Sequence, residues 1–349
     1  MGARTFASLL KLYGSAEAAI EAIPELVRKS GKIKLRTLAE AEKEYAAIQK
    51  FGGQLILKED AAYPPLLAAA EDAPPLITVK GNIGLLTKTC IGIVGARNAS
   101  LAGMKIAGQI AEGLGKEGVV TVSGLARGID TAAHKASLAT GTIAVIAGGI
   151  NSTYPPENKA LQEKIYEQGL VIAELAFGAA PKAEHFPQRN RIISGLSYGV
   201  AVIEASLRSG SLITARLALE QGREVFAVPG SPLDPRAEGP NRLLKQGATL
   251  IECAQDILNQ LPGEREANHR KNMREAEAPT YHATPLPDTA SVSEIRTQLL
   301  QMLSSAPTPV DTLLAAFQAP SGALQMALLE LELNGDVERL PGNRLVRAG

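Results

Sequence analysis

The chain has 349 residues, enough for two or three domains, and its 45% hydrophobic content excludes wholesale disorder and permits a large buried core. Aromatic residues make up only 4% and Trp is absent, so Ala, Gly, Leu and Ile must do the packing, which favours helices laid closely on a sheet over a β-sandwich. Lys plus Arg number 36, as do Asp plus Glu, so the net charge is zero: the general positive field of a duplex-coating protein is excluded, and any polyanion must be held by a local cluster.

Residues 1–70 read as a small helical module of the SAM or helix-hairpin kind. In TFASLLKLYGS, Phe6, Leu9, Leu10 and Tyr13 share one helical face; Gly14 stops that helix and Ser15 caps the next, SAEAAIEAI. A longer helix, LRTLAEAEKEYAAIQKFGG, ends at Gly52 and Gly53. Between 71 and 260 the pattern becomes CIGIVG, VVTVSG, TIAVIAGG, LVIAEL, YGVAVIEA, EVFAVPG and ATLIEC, mostly separated by helix-like segments. Near-continuous apolar strands alternating with helices predict a Rossmann-like α/β domain, a doubly wound and mostly parallel sheet covered on both faces. Residues 261–288, charged and proline-rich, read as a linker. Residues 289–349 hold three helical segments, SVSEIRTQLLQML, VDTLLAAF and SGALQMALLELELNG, then DVERLPGNRLVR as a hairpin, which together predict a winged helix.

Cys90 and Cys253 sit in strand-like segments and read as buried thiols of a reduced cytoplasmic protein. No signal-peptide core is visible, and the longest apolar run, TIAVIAGGI, is too short to span a bilayer, so the expected location is cytoplasmic with no membrane partner.

Ligands of such sheets sit where strands end and helices begin. The first strand ends in IVGARNAS, which is not G-x-G-x-x-G; Gly95 permits a sharp turn, and Arg97 at the mouth of the next helix favours an oxyanion such as phosphate, or else simply caps a turn. In SGLARGID, Ser123, Gly124 and Gly128 form either a phosphate cradle or a tight structural turn, with Asp130 in the following helix. FPQRNRIISGLS carries Phe186, Arg189, Asn190 and Arg191 with no acid inside the stretch. If the helix begins near those arginines, each is disfavoured at its N-terminus by about 0.3–1 kcal/mol, a penalty that an intervening anion relieves. Phe186 beside them either stacks on a base or fills core. Ser209, Gly210 and Ser211 open a further helix, and over residues 181–216 five basic residues (Lys182, Arg189, Arg191, Arg208, Arg216) face two acidic ones (Glu184, Glu204). G-x-x-x-x-G-K-[ST], H-E-x-x-H and closely spaced Cys/His ligands are all missing, so no motor, metal or cofactor is expected, and His134, His185, Glu174 and Glu204 have no evident nucleophile to serve.

VGARNAS, SGLARGIDTAAH, YPPEN, FPQRNRIISGLS, EASLRSGSLITARLALEQGREVFAVPG and GPNRLLKQGA, in order over about residues 70–255, resemble the DNA-processing protein A (DprA/Smf) family. The resemblance implies a Rossmann-like domain that binds single-stranded DNA in a basic pocket, commonly forms a homodimer, loads RecA onto incoming strands in natural transformation, works around single-strand-binding protein and performs no catalytic turnover. It places the family's G-[SA]-R motif on Gly95, Ala96 and Arg97, its FPxRNR motif on Phe186, Pro187, Arg189, Asn190 and Arg191, and a further basic residue near Lys182, where PKAEH departs from the usual pattern. It leaves the first helices of the N-terminal module unmatched. The presumed recognition helix, SGALQMALLELELNG, has two glutamates and no Lys or Arg, so it is expected to bind protein or pack on a neighbour rather than read a groove. Two readings compete with a mediator: a phosphoribohydrolase-like enzyme on a nucleotide, with Glu204 as acid or base, and a winged-helix transcription regulator.

Overall fold

The computed structural model describes residues 3–26, 36–261, 289–303, 307–310, 312–313, 321–340 and 343–347. They form two compact units, one made of Met1–Thr37 with Pro279–Gly349, the other of Leu38–Ala278.

In the first unit, helices α1 (Ala3–Tyr13) and α2 (Ala16–Leu26) form a hairpin. Gly14 adopts φ 80° and the Ser15 hydroxyl accepts from the Ala18 amide at 3.1 Å, the stop and cap expected there. The winged-helix part contains helices Thr289–Met302 and Ser321–Asn334 and antiparallel strands Thr308–Pro309, Val337–Leu340 and Arg344–Arg347, with Arg344–Arg347 in the middle. Most of the expected helix over 310–317, and residues 262–288 of the expected linker, lie outside the described residues. Ser321–Asn334 is apolar on two sides, and each side has its own partner. Ala323, Leu324, Ala327, Leu328 and Leu331 pack with Val292, Ile295 and Leu299, while Leu329 and Leu333 pack with Leu9, Ala19 and Ile23 of the N-terminal hairpin. Its glutamates are engaged as well. Glu330 pairs with Arg296 at 3.2 Å, and Glu332 pairs with Arg339 and accepts from the Thr5 hydroxyl at 3.3 Å. A helix thus held packs on its neighbours and offers no basic face to a groove.

The second unit is a nine-stranded sheet. Its strands are β1 (Gln54–Leu57), β2 (Leu76–Gly81), β3 (Cys90–Val94), β4 (Val120–Ser123), β5 (Thr142–Gly149), β6 (Leu170–Leu175), β7 (Gly199–Val202), β8 (Glu224–Ala227) and β9 (Thr249–Leu250). The order is β1-β2-β6-β5-β4-β3-β7-β8-β9; β1 and β2 run antiparallel to their neighbours and all other pairs are parallel. Strands β3 to β9 are the seven apolar runs of the sequence. Along β3, Ile91 and Ile93 enter one core, with α5 (Leu101–Lys116) and α6 (Ile129–Ser137), whereas Cys90 and Val94 enter the other, with α8 (His185–Leu196) and α9 (Gly210–Glu220). Burial on both faces is why these strands read as continuous rather than alternating. Cys90 is buried in β3, but Cys253 is exposed, because it falls beyond β9 at the cap of the short helix Ala254–Leu258. Helix α7 (Lys159–Gln168) covers β5 and β6 through Leu161 and Ile165.

The helical reading of residues 1–70 requires correction. Helix α3 (Leu38–Lys50) belongs to the sheet unit, its Glu44 accepting from the Phe177 amide at 2.8 Å, and β1 with the short helix α4 (Pro65–Ala68) follows it. Lys80 of β2 fastens this junction: its ammonium donates to the Phe51 carbonyl at 2.8 Å and lies 3.7 Å from the Phe51 ring centre.

Candidate nucleic-acid interface

From β3 the chain steps outward through β4, β5 and β6, then returns to place β7 on the other side of β3. The carboxyl ends of β3 and β7 therefore flank the topological switch point, where such sheets leave a crevice. Gly95 closes β3 by close packing: a Cβ there would stand 2.5 Å from Ile129 and 3.0 Å from the Glu204 carbonyl. The chain then presents Arg97, exposed, and enters α5 at Ser100, whose hydroxyl accepts from the Gly103 amide at 2.8 Å. Glu204, at the end of β7, accepts from the Ser100 amide at 2.8 Å and from its hydroxyl at 2.5 Å. This carboxylate holds the start of α5.

The loop after β4 rests on buried polar groups. Ser123 is fully buried and donates to the Ile93 carbonyl at 2.5 Å. Asp130 accepts from the amides of Gly124 (3.1 Å) and Ala126 (3.3 Å), and His134 Nε2 accepts from the Leu125 amide at 3.3 Å. The other ring nitrogen, Nδ1, lies 2.7 Å from the Thr142 hydroxyl, which itself donates to the Thr121 carbonyl, so Nδ1 carries the proton and the ring is neutral. Burial, reinforced by Arg189, pushes the His134 pKa down to about 3. Asn158, from YPPEN, completes the support by donating to the Leu125 carbonyl at 2.8 Å.

Arg189 lies beneath this loop. It is 6% exposed and donates to the Val145 carbonyl at 2.9 Å. Burial pushes its pKa down to about 10, opposed by Asp130 and helped by Arg97; the same burial raises Asp130, opposed chiefly by Arg189. Gly124 is small because a Cβ at that position would fall 1.7 Å from the Arg189 guanidinium. The glycine makes room for an arginine rather than for a ligand.

Two expectations about the arginines are therefore corrected. Helix α8 begins at His185, with Pro187 inside its first turn, where the missing N–H costs nothing. Arg189 and Arg191 thus lie beyond the N-terminal turn and escape the dipole penalty. Nor are they without acidic neighbours. Arg191, its side chain 13% exposed, pairs with Glu174 at 2.5 Å and Asp72 at 3.8 Å, and Arg189 has Asp130 beside it. Asn190 donates to the Gly210 carbonyl at 3.3 Å, and buried Ser211 shares a 2.6 Å hydroxyl contact with the α9 cap, Ser209. Gly210 is exposed at that cap, and a Cβ there would meet nothing. Lys182 is exposed, its ammonium 4.0 Å from Glu184.

What remains open, over the loops that follow β3, β4 and β5, is a small pocket of Arg97, Arg127, Tyr154 and Phe186 over the chain at Gly124, Ala126 and Pro155. The Arg97 guanidinium lies over the Phe186 ring, 5.1 Å from its centre, and the Tyr154 ring meets Phe186 at 5.3 Å and 60°. Among the described residues no carboxylate lies within ion-pair distance of Arg97. Arg127 faces Glu157 at 3.7 Å with both side chains 61% exposed, a weak and screened pair. Of the eleven candidate residues, Arg97, Gly124 and Phe186 line this pocket. Tyr154 and Arg127 escape the sequence reading, although YPPEN and SGLARGID both stand out in it. No group of three or more His, Cys, Asp or Glu suited to a metal ion occurs among the described residues. The geometry suits a phosphate and an exposed ring.

Three family models match. Residues 54–262 fit DNA recombination-mediator protein A, residues 283–343 the DprA winged helix domain, and residues 1–47 a DprA-like N-terminal HHH domain. The chain is 41% identical over 299 residues to Protein Smf of Escherichia coli (strain K12), covering 84% of this chain and 78% of that protein. It is 49% identical over 212 residues to DNA processing protein DprA of Streptococcus pneumoniae, covering 60% of this chain and 74% of that one. The solved structure of the Streptococcus pneumoniae protein superposes with a TM-score of 0.60 at 39% identity, covering 74% of this chain and 98% of its own. That of DNA processing protein A from Helicobacter pylori, described for its single-stranded DNA binding mode, gives 0.55 at 30% identity, covering 59% and 94%. With one family model spanning the whole central sheet and relatives matched along most of their length, the chain belongs to the DNA-processing protein A (DprA/Smf) family.

Proposed function

We propose that this protein binds single-stranded DNA at the rim of its central sheet and serves as a recombination mediator that loads RecA onto incoming DNA in natural transformation. The observation that carries the binding reading is Arg97: an exposed guanidinium at the switch point, with no carboxylate among the described residues within ion-pair distance, beside Phe186 and the exposed Tyr154. Single-strand binding by the Helicobacter pylori relative supports it. A flexible strand can present both its phosphates and unstacked bases to such a rim. Handing strands to RecA, working around single-strand-binding protein, acting as a homodimer and residing in the cytoplasm belong to the same proposal. No helix of the described residues is long and apolar enough to cross a membrane.

The protein acts without turnover in this reading. Glu204 is committed to Ser100, Glu174 to Arg191, and His134 is buried and neutral, so the groups a phosphoribohydrolase-like enzyme would call on are already engaged. The test is a fluorescence titration of oligo-dT and of the matching duplex at two salt concentrations, with mass measured in solution. Preference for the single strand is expected, with a log–log salt slope of about −0.7 per phosphate neutralised. Arg97→Glu is expected to lower oligo-dT affinity by tenfold or more with an unchanged melting temperature. Wild-type affinity in that variant refutes the site. RecA filament assembly on strands coated with single-strand-binding protein, with and without this protein, tests the mediator role.

A further inference from the structure

We propose that Tyr154 is the surface on which a nucleobase stacks, with Phe186 as its backing rather than the stacking residue itself. The inference rests on the single-strand reading above and names the residue that would distinguish a base from a bare phosphate. The FPxRNR motif draws attention to Phe186, but that ring is already occupied. It is partly buried, Arg97 lies over it at 5.1 Å, and Tyr154 meets it at 5.3 Å. A base stacking on Phe186 would have to displace the Arg97 guanidinium and forfeit a cation–π contact. Tyr154 lines the same pocket and is 42% exposed, well above the partly buried Phe186. Phe186, tilted at 60° to it, supports it from behind.

The arrangement specifies the ligand class. Arg97 and Arg127 line the same pocket and can meet backbone phosphates, while the Tyr154 ring accepts any base through its π-face. A paired base lies within its own stack and does not present that face. The exposed face of Tyr154 therefore takes one unpaired base of a single strand, with little preference among bases.

The chain contains no tryptophan, so Tyr154→Trp introduces a lone indole at the proposed contact. Wild type, Tyr154→Trp, Tyr154→Phe and Tyr154→Ala would each be titrated with oligo-dT and with an abasic oligonucleotide of equal length. Melting temperatures would show that all four fold alike. Tyr154→Trp and Tyr154→Phe are expected to bind oligo-dT within about threefold of wild type. The indole emission is expected to be quenched by oligo-dT and left nearly unchanged by the abasic strand. Tyr154→Ala is expected to lose about tenfold in oligo-dT affinity, in line with one stacked base. Wild type is expected to lose a similar factor on the abasic strand, whereas Tyr154→Ala loses little more. If Tyr154→Ala binds oligo-dT as wild type does, or if bound oligo-dT leaves the indole unquenched, Tyr154 is not the platform. Failure of wild type itself to bind oligo-dT overturns the single-strand reading and this inference with it.

Discussion

Gly124→Ala tests whether the loop at the crevice owes its shape to a buried arginine. The added Cβ would fall 1.7 Å from Arg189 Nη1 and 2.5 Å from Cζ. Non-bonded contacts settle near 3.5–4.0 Å, so the guanidinium must retreat by roughly 2 Å or the loop must lift. If the guanidinium retreats, the 2.9 Å bond from Arg189 to the Val145 carbonyl is lost, a charged hydrogen bond worth about 1.5–3 kcal/mol. If the loop lifts instead, the two amide bonds that Asp130 accepts are lost, leaving a buried carboxylate poorly compensated at a cost of about 3–5 kcal/mol. Arg189→Ala alone is expected to cost a similar amount, because Asp130 then stays buried without its counter-charge. Cutting Arg189 back also removes the atoms that the new methyl group would strike. The double variant is therefore expected to be about as stable as Arg189→Ala alone, giving a coupling energy of several kcal/mol. Urea unfolding of the full chain, followed by circular dichroism, completes the cycle. Costs that add to within about 0.5 kcal/mol would show that glycine is needed for some other reason.

Three further outcomes follow from the same contacts. Arg191→Ala should destabilise the sheet unit by about 3 kcal/mol by stranding partly buried Glu174, while changing the oligo-dT affinity of the folded protein less than threefold; loss of binding at unchanged stability would return Arg191 to the DNA site. His134 is held neutral when folded, with its pKa below the unfolded value, so it contributes stability that is present above about pH 6.5 and lost as pH falls toward 3. Wild type should lose about 2 kcal/mol more than His134→Gln between pH 7 and pH 5, and equal slopes in urea titrations would refute this. Leu9→Ala, at a 1% exposed position, should reduce hydrogen-exchange protection along Ser321–Asn334 despite their separation in sequence; unchanged protection would mean the hairpin does not stabilise that helix.

The central sheet is legible in the sequence because its strands are buried on both faces: a run such as TIAVIAGG admits little besides a covered parallel strand. By contrast, QLIL is four residues long, follows a glycine pair and has an exposed end at Leu57, so neither helical nor strand periodicity has room to declare itself, and β1 stays hidden. Helix α8 starts earlier than its sequence suggests, because Pro187 reads as a barrier to a helix, whereas in a first turn proline is well accommodated. The dipole argument built on that boundary falls with it. The absence of acids inside FPQRNRIISGLS is real but uninformative. The carboxylates facing Arg189 and Arg191 arrive from α6, from β6 and from the loop at Asp72, brought in by crossovers that no local window displays.

That misplacement changes what the motif is for. A guanidinium at 6% exposure with a backbone carbonyl to bond is poorly placed to follow a mobile strand, but well placed to hold up the loop above it. Arg189 fills the space left by Gly124, Asp130 gathers the amides of Gly124 and Ala126, and Asn158 takes the Leu125 carbonyl. The same short loop then lines the pocket through Gly124, Ala126 and Arg127, opposite Arg97 and the two aromatic rings. Charges that would have been costly as isolated buried groups thus secure the backbone, while Arg97, left in water, meets no carboxylate among the described residues. A neutral chain can in this way present a positive rim: its arginines are divided between those that shape the crevice and those that face whatever enters it.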